Sequence, residues 1–343
     1  MTRSESWRPP HGNRAGKVRR FVGLGAALAF LSGAGLAVDG LWLEPRRLQH
    51  HRQTVALAGL PPALAGLSVL HLSDFHYVPR NRWLRHRLAE LAVETAADPP
   101  DLIALTGDFV EWDEDAPALA SLLSPLTARL GCFAVLGNHD YGNACDPPDQ
   151  ERHSLLNSLS DLAGRPLLRY SERAAKSGGN CVAAIITALE QAGITVLRNT
   201  AVRLCPDQSP FWVGGVDEPH QFRADIDAVY AAVPPTEPLL LLAHSPDVLE
   251  RPFPRAPLLT LVGHTHGGQV RLPFLPPLIT HTRVALPAYQ GLISTPQGPM
   301  HISPGIGASV PIRLRCPPAV TRLVLQAAPM VPAASDLQSA VSD

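Results

Sequence analysis

A chain of 343 residues that is 45% hydrophobic and 17% charged has the apolar mass for one large globular domain, which excludes a fibrous or wholly disordered protein. With 29 Lys and Arg against 30 Asp and Glu, the net charge is −1, so no global field recruits nucleic acid and no nucleic-acid partner is expected. The five cysteines form no C-x-x-C pair, which excludes a zinc ribbon and a full disulfide framework; one local bridge, Cys145 to Cys181, is the expected pairing if the compartment is oxidising.

A basic N-terminus (residues 1–20, with Arg14, Lys17, Arg19 and Arg20) precedes the uncharged run Phe21 to Val38. That run meets the lower limit for crossing a bilayer and is read as a transmembrane signal anchor. A signal cleaved after Ala37, a twin-arginine export signal at Arg19-Arg20 and a buried helix of the fold are the alternatives. Positive charge ahead of the run places the remainder outside the cytoplasm. A single-pass cell-membrane protein with an extracytoplasmic catalytic domain is therefore expected, or an exported one after cleavage.

One domain is expected over residues 55–326, with a polar insertion at about 141–176 and a disordered tail over 327–343. Strands are read at Leu67–Leu72, Leu102–Leu105, Cys132–Leu136, Thr195–Leu197, Phe211–Val213, Leu239–Ala243, Leu258–Val262, His301–Ser303 and Val320–Leu325, several of them the continuous apolar runs of buried strands. Helices are read at Arg82–Ala97, Ala116–Ala128 and Val182–Ala192. Together they predict an α/β sandwich, two packed mixed β-sheets with helices on the outer faces.

Five short motifs follow predicted strands: Asp74-Phe75-His76, Gly107-Asp108, Gly137-Asn138-His139-Asp140, His244, and Gly263-His264-Thr265-His266. Residues at the carboxyl ends of neighbouring strands converge on one crevice. Each motif alone is weak, but together they supply enough ligands for two adjacent divalent metals, with Asp108 the natural shared ligand because a carboxylate has two oxygens. Gly107, Gly137 and Gly263 each precede a ligand, where the absence of Cβ permits a sharp turn.

The order D-x-H, G-D, G-N-H-[DE], H and G-H-x-H resembles the calcineurin-like metallophosphoesterases. The stretches HLSDFH, LTGDFV, LGNHDY, LLLLAHSPD, GHTHGGQV and GIGASVPIRLRCPP are similar to the bacterial membrane-associated or exported branch of that family. The resemblance implies that Asp74, His76, Asp108 and His266 hold one metal, and that Asp108, Asn138, His244 and His264 hold the other. It implies two divalent ions, Mn, Zn or Fe foremost and Mg also admitted. His139 would face the scissile phosphate as acid or transition-state stabiliser, and Asp140 would orient it, unless Asp140 is a turn-capping carboxylate. The implied reaction is hydrolysis of a phosphodiester, phosphomonoester or pyrophosphate by a metal-bridging hydroxide, on a small-molecule or lipid-linked substrate.

Among the other residues, His71 reads as a core histidine, His220 as a loop residue able to reach the site, and the seven remaining histidines as surface or loop residues. Leu272 to Ile279, LPFLPPLI, is a proline-stiffened apolar stretch six residues after His266 that either packs beneath its loop or rims the site for acyl chains. A non-catalytic metal-binding scaffold of the same fold is the alternative function, set aside because no ligand is missing. A dinuclear lactamase-like hydrolase is set aside because its H-x-H-x-D-H stretch is absent. The sequence signals no oligomeric state.

Overall fold

Apolar runs of four or five residues, too short for helices and flanked by turn residues, build the centre of the molecule as strands. The computed structural model describes residues 35–36, 38–142, 179–272, 274–277 and 279–328. Most of the run from Phe21 to Val38, Cys145 and hence its bridge to Cys181, most of the insertion, Pro273, Leu278 and the tail beyond 328 lie outside the described residues.

In chain order the strands are β1 (Gln49–Leu57), β2 (Ser68–Leu72), β3 (Leu102–Thr106), β4 (Gly131–Val135), β5 (Ile194–Val196), β6 (Thr200–Leu204), β7 (Phe211–Gly215), β8 (Leu239–Leu242), β9 (Leu259–Val262), β10 (Gly291–Thr295), β11 (Gly298–Ile302) and β12 (Ala319–Ala327). The main helices are α1 (Arg82–Ala97), α2 (Ala116–Leu123), α3 (Val182–Gln191) and α4 (Ile226–Ala232). Two mixed six-stranded sheets result, ordered β1-β12-β2-β3-β4-β5 and β10-β11-β9-β8-β7-β6. Strands β2, β3 and β4 run parallel in the first, and β7, β8 and β9 in the second.

The period of two along each strand sorts side chains between layers. In β3, Leu102 and Ala104 point between the sheets, packing with Val69, Phe133, Leu240 and Leu261, whereas Ile103 and Leu105 point outward to Leu84, Leu88, Leu119 and Ile185 on α1, α2 and α3. In β8, Leu239 and Leu241 face the opposite way from Leu240, onto Val229 and Tyr230 of α4. Every strand residue of β2, β3, β8 and β9 is buried, which is why these strands read as predominantly apolar runs without a polar alternate face, the exceptions Ser68, His71, Thr106 and Thr260 being buried as well.

Local chemistry sets the helix ends. The Asn81 side chain accepts the Leu84 N–H at 3.0 Å to start α1, and Pro99 and Pro100 follow its end. Helix α2 stops at Leu123, short of the expected Ala128, because Pro125 has no N–H to continue the ladder. Three strands that the sequence reading omits, β1, β6 and β10, are all sheet edges, and β1 starts ahead of the domain boundary expected at 55. Their exposed, polar residues dilute the apolar signal: the first four residues of β1 are Gln, His, His and Arg, all exposed.

Candidate metal centre

The predicted ligands leave the carboxyl ends of five parallel strands, three in one sheet and two in the other. Asp74 and His76 follow β2, Asp108 follows β3, and Asn138 and His139 follow β4. His244 follows β8, and His264 and His266 follow β9. Five of these residues hold a left-handed backbone: Asp74 (φ 54°), His76 (42°), Asp108 (53°), His264 (66°) and His266 (47°). Such conformations cost on the order of 1–3 kcal/mol each outside glycine and persist only where packing over-determines them. Glycine supplies the clearance: a Cβ at Gly137 would lie 2.2 Å from Asp108 Oδ1, and one at Gly263 would lie 1.8 Å from Ser73 Oγ.

The folded chain gathers the seven residues into two adjoining groups. In the first, His76 Nε2 lies 3.2 Å from His266 Nε2, which is 3.8 Å from Asp74 Oδ1. In the second, His244 Nε2 lies 3.1 Å from both Asn138 Oδ1 and His264 Nδ1. Asp108 joins them, its Oδ2 lying 3.3 Å from His76 Nε2 and 3.3 Å from His244 Nε2.

The hydrogen-bond network assigns tautomers that suit metal ligation. His244 Nδ1–H donates to the Thr106 carbonyl at 2.7 Å, and His76 Nδ1–H donates to Glu111 Oε1 at 2.8 Å, which turns both Nε2 atoms toward Asp108, where each would offer its lone pair to a cation in place of a proton. The buried His264 Nε2 has no hydrogen-bond partner. Burial pushes the His264 and His266 imidazoles well below their usual range, leaving them neutral. His244 is the reverse: burial opposes its charge, yet Asp108 draws it up to about 10. An orphaned buried nitrogen and convergent lone pairs around a shared carboxylate fit a pair of divalent cations.

His139 sits at the mouth, its side chain 21% exposed and its ring centroid 4.6 Å from that of His76. Its Nδ1 bonds Glu111 Oε2 at 3.1 Å, and its backbone N–H donates to Asp108 Oδ1 at 2.9 Å. The carboxylate of Asp140, expected to orient His139, is engaged elsewhere: it accepts the N–H groups of Phe109, Val110 and Gly137 at 2.8, 3.2 and 2.9 Å. It thus ties the loop after β3 to the loop after β4. Burial and the neighbouring Asp108 push the Asp140 carboxyl up to about 7.

The carboxylate bonded to the His139 ring is Glu111, which the motifs omit. It bonds both His76 and His139 and accepts the Ser309 hydroxyl at 2.5 Å. Burial alone would raise its pKa, but His139 and His76 together hold it well below the usual carboxylate range. Its one sequence signal is an acid three residues after Asp108. Arg313, inside the GIGASVPIRLRCPP stretch but not among the expected site residues, is fully buried, and its guanidinium donates to the carbonyls of Pro304 and Gly307 at 2.7 and 2.6 Å and lies 3.5 Å from His266 Nδ1.

The other histidines sort by place. His71 lies in the core as expected, bonded to His301 Nδ1 and Thr106 Oγ1, both at 2.9 Å. His301, expected at the surface or in a loop, is 2% exposed in β11. His220 bonds Asp247 Oδ2 at 2.8 Å and brings its ring 5.0 Å from that of His264. His281, read only as a loop residue, stands over both groups, its ring 5.9 Å from His264 and 5.8 Å from His266. In the apolar stretch, Phe274 is fully exposed and Leu275 is 57% exposed, so these two do not pack beneath the loop, while Pro277 closes against Gly268 beside His266.

The family Calcineurin-like phosphoesterase matches residues 67–268. The chain is 28% identical to the UDP-2,3-diacylglucosamine pyrophosphatase LpxG of Chlamydia trachomatis, covering 87% of this chain and 96% of that one. It is 30% identical to the phosphodiesterase YaeI of Escherichia coli, over 90% of this chain and 98% of that one. It is also 26% identical to a bovine transmembrane protein with metallophosphoesterase domain, covering 90% of this chain and 64% of that one. The chain belongs to the calcineurin-like phosphoesterase family of metal-dependent hydrolases that act on phosphate esters.

Proposed function

We propose that this chain hydrolyses a phosphodiester or pyrophosphate bond of a lipid-linked, cell-envelope substrate while tethered to the membrane by residues 21–38. The observation that carries the hydrolytic reading is Asp108, whose Oδ2 stands 3.3 Å from a histidine nitrogen of each group. Asp74, His76, Asp108 and His266 would hold one divalent cation, and Asp108, Asn138, His244 and His264 the other. The cations, when bound, supply a water of lowered pKa and neutralise charge on the phosphoryl oxygens. Glu111 fixes His139 through Nδ1, which leaves Nε2 as the ring atom available to give a proton to the leaving oxygen. Asp140 keeps the loops carrying Asp108 and His139 in register.

The lipid-linked substrate is supported by exposed Phe274 and Leu275 on the loop that closes against Gly268, and by the diacylated nucleotide sugar in the name of the chlamydial relative. Tethering is supported by the apolar run and by the transmembrane description of the bovine relative. Among the described residues no helix is long and apolar enough to cross a membrane.

The test strips the protein of metal, restores Mn, Zn, Fe or Mg, and compares kcat/KM for long-chain and short-chain versions of one phosphate substrate. Wild type is expected to prefer the long chain, and a Phe274→Ser, Leu275→Ser variant to lose that preference. Equal values in wild type reject lipid recognition and leave a soluble phosphodiester.

A further inference from the structure

We propose that the end of the N-terminal segment and the first turn of α1 form one face that docks flat onto an anionic lipid surface. Four large apolar side chains stand in solvent there: Trp42 (61% exposed), Trp83 (52%), Leu41 (48%) and Leu43 (41%). They come from chain segments forty residues apart, yet the Arg46 guanidinium joins them, 3.8 Å from the Trp42 ring centroid and 5.5 Å from that of Trp83. Tryptophan on such a surface suits the membrane–water boundary, where one side of the ring is apolar and the other wet.

The charge flanking this patch in the sequence is mainly positive: Arg46, Arg47, Arg80, Arg82 and Arg85 lie within a few residues of Trp42 or Trp83, Asp39 is a half-exposed acid in the same segment, and no Asp or Glu occurs between Val78 and Ala89. The nearby Glu44 is buried, its carboxylate accepting the N–H groups of Arg315 and Cys316. Beneath Trp83 lies a cavity of about 110 Å³, lined in part by Leu41, Asn81 and Arg87. Arg46 also lines this cavity.

The course of the chain selects the bilayer as occupant. The uncharged run from Phe21 ends at Val38 and passes directly into Asp39–Leu43, so whatever holds that run holds this face within a few residues. The segment is also fastened to the catalytic domain: Arg313 N–H donates to the Gly40 carbonyl at 2.8 Å, and Arg271 N–H to the Leu314 carbonyl at 2.9 Å. The ribbon at 313–314 therefore joins the tethered segment to the start of the Phe274 loop. Docking does not depend on a lipid-linked substrate, since a soluble substrate leaves the face unchanged.

The experiment reconstitutes the full chain in nanodiscs of phosphatidylcholine, with or without phosphatidylglycerol, carrying brominated acyl chains that quench tryptophan. Because Trp83 belongs to the folded domain rather than the tether, the difference between wild type and Trp83→Phe isolates docking. Trp83 is expected to be quenched in the anionic discs, and less so in neutral discs or on raising salt. An Arg80→Ser, Arg82→Ser, Arg85→Ser variant with unchanged circular dichroism should dock on the order of 10²-fold more weakly. Equal quenching of wild type and Trp83→Phe overturns the proposal, whether the chain fails to enter the disc, the domain floats free or the face pairs with a second copy. Quenching indifferent to the three arginines overturns its electrostatic half.

Discussion

Two histidine pairs span the two sheets, and they differ in what surrounds them. His71 and His301 meet in the interior with Nδ1 atoms 2.9 Å apart, and His76 and His266 meet at the mouth with Nε2 atoms 3.2 Å apart. All four residues are buried. The inner pair sits on regular strands with Thr106 as its further partner, and burial lowers both imidazoles, His301 to about 3, so the pair is neutral. The mouth pair sits on left-handed backbone beside Asp74, Asp108 and Glu111. Burial and proximity of imidazoles do not make a metal site; converging carboxylates and a backbone forced to aim them do.

Removing the shared carboxylate breaks this contrast most directly. Asp108→Asn should leave the mouth histidines close together, as the inner pair is, and lower kcat/KM by on the order of 10⁴-fold, with bound metal lost on elemental analysis. Full activity in that variant would sink the two-cation assignment.

His139→Ala sharpens the boundary between holding metal and acting on substrate. Metal content should be retained while kcat falls roughly 10²- to 10⁴-fold. Loss of metal in this variant would make His139 a ligand, a reading its proximity to His76 and Glu111 keeps in play.

Glu111→Gln asks whether the carboxylate behind the mouth matters as much as those in front. A drop of about 10–100-fold in metal affinity or kcat is expected, because Glu111 sets the tautomer of both His76 and His139. An unchanged metal-binding isotherm and unchanged kcat would reduce Glu111 to packing.

The smallest effect belongs to the inner pair. His71→Leu strands the buried polar atoms of His301 and Thr106, so denaturant melts should show a loss of about 1–3 kcal/mol. Metal content and kcat should match wild type. A catalytic defect without loss of stability would show that the two pairs are not separate.

The sequence by itself determined most of the frame. All nine strands read from it are present, and the central parallel ones among them are buried on both faces and leave apolar runs that need no partner to recognise. The motifs after five of those strands pointed to one crevice because parallel strands carry their carboxyl ends to the same edge. Only the tertiary structure decided which carboxylate serves His139, since Glu111 and Asp140 are both acids beside a motif and differ only in which donors the folded loops bring to them. It alone separated buried His301 from the exposed histidines, and revealed the edge strands β1, β6 and β10. The physical reason is common to all three: a half-exposed strand, a buried imidazole and a loop carboxylate acquire their identity from partners distant in sequence, and a local pattern carries no record of those partners.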